Sequence, residues 1–79
     1  MRDDILTIIT EYTGTKRENI NDSDFFFADL MADEMDMVDI FLDIEDTFFI
    51  SLPNSLIRNS LTVVELLEFV GIQMRDKHK

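Results

Sequence analysis

The sequence predicts an all-α protein: a small single domain over residues 1–79, built as a bundle of three main helices plus one short helix, with a long loop between the first and second helices. Three observations carry that prediction. Apolar residues recur at helical spacing in three separate segments. Two of those segments open on capping signals, Asp33 with Asp36 and Thr62 with Glu65. Between the first two lies Thr15 to Asp33, which has no sustained period.

Residues 3–13 place Ile5, Ile8, Ile9 and Tyr12 on one face, with Leu6 widening the stripe. Asp3 and Asp4 fall in the first turn, where negative charge complements the helix dipole, and Gly14 suits the position just past the end. The following connection is long for a compact domain, yet it carries Ile20, Phe25, Phe26, Phe27 and Leu30. Those hydrophobes predict a loop lying across the bundle. Phe26 is its expected buried anchor, and Phe25 or Phe27 is expected to be at least partly exposed, because three adjacent rings cannot all point inward. The stretch from Asp22 to Asp33 lacks the glycine and final glutamate of a calcium-binding loop, which excludes an EF-hand.

The second helix is expected from about Glu34 to Phe49, with Val38, Phe41, Leu42, Phe48 and Phe49 forming one apolar arc. Met35 and Met37 in its first turn are candidates for exposed, adaptable contacts. Pro53 fits the first position of a short helical turn, roughly residues 53–59, with Leu56 and Ile57 facing inward. The last helix opens at Thr62-Val63-Val64-Glu65 and runs through about Met74, with Leu66, Leu67, Phe69 and Val70 on its apolar face.

Composition bounds the function. The 79 residues are 46% hydrophobic and carry a formal charge of −10. That charge argues against nucleic-acid binding, which needs Lys and Arg to neutralise phosphate, and against adsorption to anionic membranes. With no cysteine, thiol catalysis, disulfides and cysteine metal sites are excluded. No signal peptide or transmembrane stretch is visible, so the expected location is cytoplasmic. His78, the single histidine, lies in a basic tail beside Lys77 and Lys79 with no partner for catalysis, and no sequestered carboxylate pair is evident. An enzyme is not expected, nor a metal site.

The charge is concentrated. From Glu18 to Ile57 there are eleven acidic residues and no lysine or arginine. Asp36, Asp39, Asp43 and Asp46 fall within about 80° of one another on the second helix. Their like-charge pairs cost about 0.2–0.5 kcal/mol each, and a basic partner or divalent cations would relieve that cost. Asp39 and Asp43 are expected to be exposed.

Several segments, in order and at matching spacing over about residues 3–72, resemble the acyl carrier protein family. Tyr12-Thr13-Gly14 with Ile20 resembles the family's first helix end and loop anchor. Phe26 and Asp29-Leu30 resemble its Phe-x-x-Asp-Leu, and Ala32-Asp33-Glu34-Met35-Asp36 stands where the family shows Ala-Asp-Ser-Leu-Asp. Ile44 to Phe48, Ile50 to Pro53 and Leu61-Thr62-Val63 are similar to the end of helix two, the aliphatic-Pro step and the opening of the last helix. Two departures stand at the attachment site: Glu34 occupies the serine position, and Met31 replaces the usual glycine.

The resemblance implies an interaction module whose acidic helix-two face docks on a basic partner protein, among the synthases, transferases and related enzymes of fatty acid or polyketide biosynthesis. Asp33, Glu34, Asp36, Asp39, Asp43 and Asp46 would supply charge, with Met35 and Val38 as apolar contacts. Phosphopantetheine is not expected, because Glu34 has no hydroxyl to accept it, and the other serines lack the Asp-Ser-Leu setting. The expected state is a monomer. Two alternatives stand beside this reading: a true acyl or peptidyl carrier whose attachment serine has been replaced, and an acidic helical inhibitor or immunity-type protein of a basic enzyme.

Overall fold

The computed structural model describes residues 1–77, so the predicted tail of His78 and Lys79 lies outside the described residues. Its order is α1 (Arg2–Thr13), a 3-10 turn (Arg17–Asn19), α2 (Glu34–Phe48), a second 3-10 turn (Asn54–Leu56) and α3 (Val63–Lys77). The predicted bundle of three main helices with a long first connection is the architecture observed.

Three of the helix ends have a clear local cause. Gly14 closes α1 at φ 74, and its N–H bonds to Thr10 O at 2.9 Å. A left-handed residue here catches a carbonyl the helix would leave unpaired. At the start of α2, the Asp36 N–H donates to Asp33 Oδ1 at 2.8 Å, and the Asp33 N–H donates to Asp36 Oδ2 at 3.2 Å. The same reciprocal pattern joins Thr62 and Glu65 at the start of α3, at 3.0 and 3.3 Å. α3 continues to Lys77, three residues beyond the expected Met74.

The long loop is strapped to the start of α3. Val63 and Val64, whose N–H groups have no partner within α3, donate to Asp24 O and Asp22 O at 3.0 and 2.9 Å. Phe25 pairs with Thr62 in an isolated antiparallel bridge, and the Phe26 N–H donates to Leu61 O at 3.3 Å. This fixes the alternation of the three phenylalanines. Phe26 is fully buried, Phe25 is exposed and Phe27 is half-buried. Ile20, Leu30 and Ala32 are buried as well, so the loop forms part of the core.

The apolar arc of α2 is rotated from the one expected. Its buried residues are Met37, Ile40, Phe41 and Ile44, whereas Val38, Leu42 and Phe49 are 37%, 51% and 80% exposed. Phe41 and half-buried Phe48 keep their expected inward place. Met37 is fully buried, contrary to its expected exposure. Apolar residues cover both the inner face and one flank of α2, so periodicity alone allowed either arc. Packing against α1 selects the inner one.

After α2 the expected helical turn over 53–59 is shorter. Pro53 precedes the 3-10 turn in an extended conformation (φ −72, ψ 136), and Leu56 and Ile57 are half-buried against the core. Glu45 holds this connection, accepting from the Leu52 N–H at 2.8 Å. Phe49 ends α2 in a left-handed conformation at φ 56. Lys77 reaches across from α3, donating to Phe48 O at 2.8 Å with its ammonium 4.9 Å from the Phe49 ring centre. A cation at a helix C-terminus is favoured by the dipole. Among the described residues, no helix is long and apolar enough to cross a membrane.

Candidate docking face

The residues singled out lie along α2 or at its N-cap. Asp33 is the N-cap and Glu34 the first helical residue, and both are exposed. Asp46 is exposed too, whereas Asp36, Asp39 and Asp43 are half-buried. The expectation of open exposure at Asp39 and Asp43 is therefore corrected. The stripe lies along the flank of α2 beside α1, and Asp43 accepts a hydrogen bond from the Tyr12 hydroxyl at 2.8 Å. That bond is the main cause holding the Tyr12 phenol up at a pKa of about 12, with desolvation and the Asp43, Asp39 and Glu11 charges adding to it.

An apolar edge runs beside the acids. Met35 is 69% exposed, and Val38 and Leu42 follow it at positions three and seven residues on, a helical stripe offset from the buried one. Met31, just before α2, is 79% exposed and adopts φ 59. Sequence reasoning placed Leu42 in the core and missed its exposure. The signal was its spacing from Met35 and Val38, which matches a flank as well as a core.

Three arginines are engaged away from the acids of α2. Arg2 pairs with Asp22, and Arg17 pairs with Asp3 at 2.7 Å. The Arg58 Nε donates to Ser60 Oγ at 3.1 Å. Among the described residues, neither ion pair reaches an acid of α2. No three acidic or histidine side chains of these residues gather closely enough to hold a metal ion.

A small cleft opens between the first turns of α2 and the second 3-10 turn. It measures about 230 Å³ and is lined by Glu34, Val38, Asn54 and Ile57. Asn54 and Ile57 come from a segment that sequence reasoning did not connect to Glu34.

These features define a class: a small acidic all-helical bundle of acyl-carrier-like fold, with an anionic second helix edged by exposed apolar side chains. Among known proteins, the chain is 24% identical over 70 residues to an acyl carrier protein of Chlamydia muridarum (strain MoPn / Nigg). The aligned part covers 89% of this chain and 91% of that protein. No family model matches the chain.

Proposed function

We propose that this protein is an acyl-carrier-protein-like interaction module. Its acidic α2 face docks on a basic partner protein, and it carries no phosphopantetheine at the usual position. The observation that carries the reading is the composition of α2. Asp36, Asp39, Asp43 and Asp46 share one flank, Met35, Val38 and Leu42 line its edge, and Glu34 stands at the first helical position. A carboxylate has no hydroxyl to form the phosphodiester, so the prosthetic group does not fit at residue 34.

The chemistry left to such a face is recognition. Charge complementarity with a basic patch accelerates encounter and rejects acidic competitors, while Met35, Val38 and Leu42 supply area that loses water on contact. Methionine suits this role because its unbranched thioether adapts to the opposing surface. A carrier-dependent biosynthetic enzyme is the partner class best matched to the likeness with an acyl carrier protein.

The test has two arms. The chain is incubated with coenzyme A and a broad-specificity phosphopantetheinyl transferase, and its mass should not change. Association with basic carrier-dependent enzymes is then measured against salt, and its rate should fall steeply as ionic strength rises.

A further inference from the structure

We propose that the cleft beside Glu34 is a seat for one long basic side chain of the partner protein, and that its chemistry selects arginine. The proposal rests on the docking reading of α2 and adds to it a specific subsite.

The cleft has a fixed charge and two kinds of wall. Glu34, exposed in the first turn of α2, supplies the negative charge. Val38, one helical turn on, and Ile57 supply apolar walls suited to the methylene stem of a long side chain. Asn54 supplies an amide whose carbonyl accepts a hydrogen bond. A guanidinium, with five donors held in one plane, satisfies a carboxylate and an amide carbonyl together. An ammonium is a point charge and does so less well.

Among the described residues, no lysine or arginine lines the cleft. The sequence from Glu18 to Ile57 contains no lysine or arginine. Arg58 follows Ile57 directly, but it lines a separate groove with Leu61, Glu65 and Phe69, where its Nε donates to Ser60 Oγ. Size points the same way. At about 230 Å³ the cleft falls below the roughly 300–1,000 Å³ typical of small-molecule sites, so it suits a single side chain.

The experiment uses the full isotopically labelled chain and nuclear magnetic resonance. The probes are acetyl-Ala-Arg-Ala-amide, its citrulline counterpart of equal shape without charge, and its lysine counterpart. The arginine peptide should shift the Asn54 side-chain amide and the Val38 and Ile57 methyls in a saturable way. The citrulline peptide should leave them unmoved, and the lysine peptide should bind more weakly. Glu34→Gln should weaken the arginine peptide about two- to fivefold, as expected for a solvent-exposed ion pair, and Asn54→Ala should narrow the preference over lysine. Glu68→Gln on α3 should have no effect. If shifts spread evenly over Asp39, Asp43 and Asp46 and Glu34→Gln changes nothing, the cleft proposal is overturned while the acidic docking face stands. Absence of any saturable shift at the cleft also overturns it. A cleft that binds the peptide in a protein whose partner ignores charge reversal on α2 would sink the docking reading and leave the subsite.

Discussion

Tyr12 of α1 donates its hydroxyl to Asp43 of α2 at 2.8 Å, so one member of the acidic stripe is already used inside the protein. The bond ties α2 to α1 and keeps the phenol protonated to high pH. It also separates Asp43, which has a structural role, from Asp46, which is exposed.

The phenol should titrate with a midpoint pushed up to about 12, against 10.0 for free tyrosine. A raised folded-state pKa means that the contribution to stability is complete below pH 10 and is lost as pH rises towards about 12. Asp43→Asn should bring the midpoint back towards the ordinary value. Phenolate absorbance followed against pH checks this, and an equal midpoint in both proteins would show that the hydrogen bond is not its cause.

Charge reversal on α2 should avoid Asp43. Asp39→Lys with Asp46→Lys should slow association with a basic partner, most strongly at low salt. Glu11→Lys with Glu68→Lys changes net charge equally on α1 and α3, where both residues are exposed. Stopped-flow binding of the two double variants decides between them. Equal slowing would mean that only total charge matters.

Met31 stands at φ 59, where an L side chain is strained and glycine is not. Its side chain is exposed, so Met31→Gly removes little packing. The substitution should stabilise the fold by about 0.5–1 kcal/mol after the greater unfolded-state freedom of glycine is included. In a domain of this size that is roughly 2–8 °C in Tm. Thermal unfolding measures it, and an unchanged or lower Tm would mean that the Met31 side chain contributes more than the strain costs.

Salt should raise the Tm near pH 7. The stripe contains three like-charge neighbours, 36–39, 39–43 and 43–46, worth about 0.6–1.5 kcal/mol of repulsion together. Screening acts over a Debye length of about 8–10 Å near physiological ionic strength. Thermal melts at low and moderate salt provide the measurement. A flat response would mean that the hydrogen bond to Asp43 and the capping role of Asp36 already offset the repulsion.

Glu34→Ser should distinguish lost carrier chemistry from a site that never supported it. With coenzyme A and a phosphopantetheinyl transferase, the parent chain should keep its mass. A gain of one phosphopantetheine only in the Glu34→Ser protein would favour a carrier whose attachment residue was replaced. Modification of the parent chain would point to another serine and contradict the proposed function.

Local chemistry made much of this protein legible in its sequence. Gly14, the Asp33 and Asp36 pair and the Thr62 and Glu65 pair fix helix ends through contacts within a few residues, so composition and spacing reveal them. Phe26 as the buried loop anchor and the acidic flank of α2 were equally readable, the first from crowding of adjacent rings and the second from the helical period. Long-range packing decided the rest. Met37 and Leu42 exchanged their expected places because α2 has apolar residues on two adjoining faces, and only contact with the rest of the bundle fixes which face turns inward. The bond from Tyr12 to Asp43 spans 31 residues, and the cleft joins Glu34 to Asn54 and Ile57 across the end of the bundle. No local period encodes such meetings, because they exist only once the helices have packed.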